Sequence, residues 1–253
     1  MEGVELAARF GSITNNLKYC GPSDFFSIFR EYLGNKSKAN SKRLQNAISE
    51  FEAHFSYLKL IAKANKLDPF DYKVCEAFWL GNDLLGNVPV ENVRQMILSE
   101  LTGTGKMHIA RSKKLADSLP NKIYPHHSFH VYFVKFITGK VEWNLANADS
   151  CRVPFGRITN VAENGKSVEI SYRPVIQKSN EFLFGDPVEK TVSTGLHGLN
   201  FIPDAKGGDW VAFHWDVACK ILDARERANL EKYISVNLDL EGSSSQQRIR
   251  PQP

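Results

Sequence analysis

Cysteine is scarce in this chain: there are four among 253 residues, and no two form a CxxC pair. Cys20, Cys75, Cys151 and Cys219 are too scattered to spell a structural zinc site, and a chain this long needs no disulfide staples to bury a core. They read as reduced thiols of a cytoplasmic protein. Also missing is any apolar run near the ~18 residues a membrane helix requires. The opening MEGVELAARFGS carries an early acid and no long apolar segment, which argues against a secretory signal. No strong charge excess is present either: 32 basic residues face 28 acidic ones, a net +4 that gives no reason to expect a nucleic acid or a membrane surface as partner. GTGK at 103–106 lacks the full P-loop spacing and a preceding strand. No Ser-His-Asp arrangement and no repeat of fixed period is visible.

What is present divides the chain in two. Residues 1–125 carry helical patterning. SDFFSIFREYL (23–33) spaces Phe25, Phe26, Phe29 and Leu33 along a helix after a capping Ser-Asp pair. Leu44, Ile48, Phe51, Phe55, Leu58 and Ala62 recur every three or four residues and predict one long helix after a polar, basic linker. Asp68 and Pro69 suit a helix start, and further helices follow in VPVENVRQMILSELT and SKKLADSLP.

The character changes near Pro125. SFHVYFVKFITGKVEW (128–143) is rich in β-branched and aromatic residues and predicts strand. Two strand-like runs flank Asn164-Gly165, a hairpin signal. Further short strands precede a last helix in LDARERANLEKYISVNL, and the composition of 241–253 predicts a disordered tail. The fold class expected is α+β: a helical domain over 1–125, then a small OB-like β-barrel with a C-terminal helix over 126–240.

Three groups of residues have metal or nucleophile chemistry. Cys151, beside Arg152 at the entrance to the β-rich half, offers a thiol that is either a packed small apolar group or a soft ligand. His214, in DWVAFHWDV, shares a strand face with Trp210 and Ala212; its imidazole is either a hydrogen-bonded core group or an iron or nickel ligand. His126, His127 and His130 form a cluster that suits a metal or a polar interface; on a strand His126 and His130 share a face and His127 opposes them.

Residues 150–235 resemble the HypC/HupF family of nickel–iron hydrogenase maturation chaperones. Cys151, Val153, Pro154 and Gly156 are similar to that family's opening, and Gly208, Asp209, Trp210, Val211, His214, Ala218, Leu222 and Asp223 to its later segment. About 150 residues precede the cysteine here, and IQKSNEFLFGDPVEK is inserted. As a whole the chain looks like an uncharacterised bacterial family with an added helical domain. The resemblance implies an OB-like barrel with a C-terminal helix. It implies an iron carrying carbon monoxide and cyanide ligands, held by Cys151 and His214 and passed to maturation proteins or the hydrogenase large subunit. The expected function is thus a maturation accessory factor, more a metal-centre chaperone than a catalyst. Two rivals are a metal-dependent enzyme centred on His126, His127 and His130, and a protein-interaction module.

Overall fold

The computed structural model describes residues 1–103, 106–179 and 181–249, with side chains through 240; Thr104 and Gly105 of the GTGK stretch lie outside the described residues. Helices fill the N-terminal region and a sheet region with a final helix fills the C-terminal one, so the fold is α+β. The chain forms two compact units, residues 1–126 with 136–142, and residues 127–135 with 143–253. Among the described residues no helix is long and apolar enough to cross a membrane.

The first unit holds α1 (Gly3–Asn16), α2 (Phe25–Gly34), α3 (Lys38–Ser49), α4 (His54–Asn65), α5 (Tyr72–Trp79), α6 (Val90–Ser99) and α7 (Ile109–Asp117). The periodic run expected as one helix is two. It breaks after Ser49, where Phe51 turns inward to pack edge-on against Phe25, with ring centroids 4.8 Å apart. Asp68 caps a turn by accepting from the Phe70 amide. The cap of α5 is Asp71, which accepts from Lys73 N–H at 2.8 Å. At the unit's centre Phe10 stacks on Trp79 at 4.9 Å, and Trp79 Nε1–H donates to His54 Nε2 at 3.1 Å.

The second unit contains α8 (His127–Phe129), continued as a π-helical turn His130–Val134, then α9 (Leu145–Cys151). The strand expected over 128–143 is therefore corrected. Residues 127–134 are all buried, so their side chains show no polar face, and a fully buried run cannot be assigned to strand by composition alone. Residues 136–142, expected in the β-rich half, belong to the first unit.

Among the described residues nine strands follow: β1 (Phe155–Val161), β2 (Ser167–Tyr172), β3 (Val175–Lys178), β4 (Glu181–Phe184), β5 (Val188–Ser193), β6 (Gly195–Leu196), β7 (Leu199–Asn200), β8 (Trp210–His214) and β9 (Val217–Leu222). The Asn164-Gly165 turn joins β1 to β2, with Gly165 at φ 63°. Pairing runs β1-β2-β5-β9-β8, and β8 pairs in turn with β1. Ile158, Val168, Ile170, Val192, Val211 and Phe213 fill the space these strands share. The inserted segment forms its own hairpin, β3–β4. The last helix, α10, spans Ala224–Ile249, so the tail expected from 241 begins inside it, and 250–253 lie outside the described residues.

Gly156 permits the tight β1–β2 contact. A Cβ there would sit 2.8 Å from Ser171 O and 2.9 Å from Tyr172 Cβ, inside ordinary contact distance. At Gly86 nothing lies within 4 Å of such an atom. Gly156→Ala is therefore expected to cost about 1–3 kcal/mol of unfolding free energy in urea, as overpacking does, while Gly86→Ala stays near neutral.

Candidate metal centre

Three side chains distant in sequence meet inside the second unit. His127 opens α8, Cys151 is the last residue of α9, and His214 is the last residue of β8. One ligand atom from each lies within 4.8 Å of the other two. All three are shielded from water, at 7 %, 7 % and 0 % exposure.

Backbone geometry brings them together. Trp215 N–H donates to Ser150 O at 3.0 Å and Phe213 N–H to Pro154 O at 2.9 Å. His214 lies between those two donors and Cys151 between the two acceptors, so the bonds hold thiol and imidazole side by side. Between α9 and β1 the chain reverses through Val153 at φ 64°, a left-handed conformation that a β-branched residue adopts only under strain, about 1–3 kcal/mol. After His214, Trp215 (φ 45°) and Asp216 (φ 64°) form a two-residue hairpin loop with both central residues at positive φ, the type I′ pattern. His127 is anchored through the residue next to it. Its neighbour Ser128 donates to Tyr233 O at 3.4 Å and accepts from Asn237 Nδ2 at 2.8 Å, both on α10.

The spacing can be compared with real coordination. Bonds of about 2.3 Å to sulfur and about 2.05 Å to nitrogen, at a tetrahedral angle, put the two donors about 3.6 Å apart. Cys151 Sγ and His127 Nε2 are 3.7 Å apart. The His127 and His214 rings meet edge-to-face with centroids 5.5 Å apart. A thiol–imidazole hydrogen bond would explain two of these groups; with the second imidazole the three make a group that could hold a metal ion. His127 Nε2 also lies 2.9 Å from Cys151 O. Protonated there, it donates to that carbonyl; as a metal ligand it must release it.

The remaining histidines are placed elsewhere. His126 belongs to the first unit, where Nε2 lies 3.3 Å from Trp79 O and burial pushes the imidazole down to about 3. It is a neutral core group and no member of the set. His130 is buried beside His127, rings 6.4 Å apart, outside the three-residue group. The strand-face pairing of His126 with His130 is thus corrected by the helix.

Sequence reasoning missed the buried ion pair next to the cysteine. Arg152 is fully buried; its Nε donates to Asp149 Oδ1 at 2.7 Å and its Nη2 to Arg173 O at 2.8 Å. Asp149 also accepts from Val175 N–H at 2.9 Å and from Tyr172 O–H at 3.4 Å. A lone Asp and a lone Arg in ADSCR look like surface charges; their i,i+3 spacing on a helix was the available signal. A cavity of about 390 Å³ elsewhere on this unit is lined by Phe155, Trp210, Arg173 and Arg227 among others. Those two arginines already donate to Gly185 O and Glu231.

The chain belongs to a family of unknown function (DUF6390), whose family model matches residues 1–248. No curated protein and no solved structure matches it. That match covers both units and overturns the resemblance of 150–235 to the HypC/HupF chaperones. Two residues that carried that resemblance have local structural reasons: Gly156 admits β2, and Gly208 turns at φ 94°.

The Asp149–Arg152 pair gives a stability prediction. Arg152→Met strands a buried carboxylate and is expected to cost about 3–5 kcal/mol, whereas the Asp149→Asn, Arg152→Met double variant loses less than the sum of the single changes. Urea titration of the four proteins of the cycle measures the coupling.

Proposed function

We propose that this family member is a transition-metal protein whose second unit holds one ion through Cys151 Sγ and the imidazoles of His127 and His214. The observation that carries the reading is the convergence of three soft or borderline donors, buried together, from three separate elements. Thiolate with imidazole suits iron, zinc or copper and disfavours magnesium and calcium, which take oxygen ligands. Three protein donors leave a four-coordinate ion one exchangeable position, as sites that do chemistry or hand over their metal require. The cyclic strand pairing supports treating the surrounding sheet as a small OB-like barrel.

A more specific form of the proposal is that the ion is iron carrying carbonyl and cyanide ligands, destined for a hydrogenase. With the family resemblance withdrawn, its support is the donor set alone. The three-donor count equally favours a metal-dependent enzyme, now centred on Cys151, His127 and His214.

Metal analysis of the full chain purified without oxygen tests these readings. One iron or zinc per chain is expected. Cys151→Ala and His214→Gln should each weaken binding at least as much as the ~10–100-fold that loss of an outer-shell partner costs. His126→Gln should leave the metal content unchanged. Infrared stretches of metal-bound carbonyl and cyanide, lost in Cys151→Ala, would select the hydrogenase form. A protein that keeps its metal without Cys151 but loses it without His126 would return the assignment to the histidine cluster. Absence of metal in every preparation would leave the interaction-module reading.

A further inference from the structure

The second unit carries a cleft that none of the three candidate metal ligands lines. Its floor is the face of β1 turned away from the core. Phe155, Arg157 and Thr159 alternate on that face, while Gly156 and Ile158 between them are buried. Strand register sets Trp210 of β8 opposite Arg157 on one side and Ser171 of β2 opposite it on the other. The cavity of about 390 Å³ falls within the ~300–1,000 Å³ of small-molecule sites. Its rings make a connected row, the Phe155 centroid lying 6.0 Å from that of Trp210 and 6.4 Å from that of Phe184. No Val, Leu, Ile or Met is found among the described lining residues, so apart from one proline the apolar wall is aromatic. Such a wall offers offset and edge-to-face contacts to another flat ring.

Three arginines line the cleft, and they are placed differently. Arg227 lies over the Trp210 ring, 5.0 Å from its centroid, and donates to Glu231 at 3.2 Å. Arg173 lies over the Phe184 ring at 5.4 Å and donates to Gly185 O and Phe184 O. Both guanidiniums are thus committed to holding the aromatic wall. Arg157 is exposed; its Nε donates to Gly208 O at 3.4 Å, and its two terminal nitrogens meet no acceptor among the described residues. Three arginines against two glutamates, Glu189 and Glu231, leave the lining one positive charge in excess. The free fork of Arg157 matches the paired oxygens of a carboxylate or a phosphate. We propose that this cleft binds a flat aromatic molecule carrying one anionic group, its ring against Phe155 and Trp210 and its anion on Arg157. The site stands apart from the metal centre and does not depend on it.

The test is calorimetric titration of the full chain with two probes, adenosine 5′-monophosphate and anthranilate, at fixed ionic strength. Saturable binding of one probe per chain is expected, and whichever binds more tightly identifies the anionic group as phosphate or carboxylate. Arg157→Gln should weaken that probe about tenfold or more, the worth of a charged hydrogen bond, with Tm unchanged because the side chain is exposed. The same variant should bind the uncharged counterpart, adenosine or aniline, as the wild type does. Trp210→Leu should weaken charged and uncharged rings alike. No saturable heat from either probe, or an unchanged affinity in Arg157→Gln, would overturn the proposal. Inorganic phosphate or acetate binding as tightly as the aromatic probes would remove the ring from it and overturn it equally. Much tighter, steeply salt-dependent binding of a single-stranded oligonucleotide would replace the small molecule with a nucleic-acid strand.

Discussion

Two backbone hydrogen bonds, Trp215 N–H to Ser150 O and Phe213 N–H to Pro154 O, set the geometry from which the candidate centre follows. They fasten the end of α9 and the start of β1 to the end of β8. A one-residue slip would turn His214 to the other side of its strand, since side chains alternate with a period of two. The slip is opposed from both directions. Val211 and Phe213 are committed to the core, and the two-residue turn after His214 sets the pairing of His214 with Val217 and of Phe213 with Ala218, ahead of a register shift between Phe213 and Ala212. The left-handed Val153 is the local cost of making the helix-to-strand corner sharp enough for Cys151 to face His214.

The buried Arg152–Asp149 pair reinforces that corner. Asp149 accepts from Arg152, from the Val175 amide and from the Tyr172 hydroxyl, tying α9 to β2 and β3. Isolated buried ion pairs are often no better than apolar packing, because desolvation offsets Coulomb attraction. Here the pair also completes backbone bonds, so its removal would unsatisfy several groups together. That makes it a positioning device for the cysteine next to it, an effect separable from net stability.

Much of the β-rich half was legible in the residues. The Asn164-Gly165 hairpin, the strand carrying His214 and the final helix follow from turn chemistry and periodicity, and the structure has them. What could not be read was the state of 127–134. Its aromatic and β-branched residues favour strand on average, but every one is buried, and tertiary packing decides between strand and helix when no face is exposed. That one substitution of element reorganises the histidines: on a helix turn, His127 is directed to Cys151, and His126 is left in the core of the other unit. Meeting of Cys151 and His214 was likewise beyond spacing arguments, since it depends on strand pairing 63 residues apart in the sequence. The family resemblance misled for a related reason. Glycines that a tight sheet contact or a turn demands recur wherever those contacts recur, and they carry geometry before they carry ancestry.

The same burial that gathers the ligands shapes their energetics without metal. Uncompensated charge is costly in a dry interior. A metal would supply the opposite charge to a thiolate at bonding distance. An ion bound only by the folded unit would add stability by mass action, about 2.7 kcal/mol at a free concentration a hundred times its dissociation constant. That is a sizeable fraction of the ~5–15 kcal/mol that holds an ordinary domain together. The strain at Val153 is of comparable size, so an occupied site would offset much of the cost of the corner that builds it.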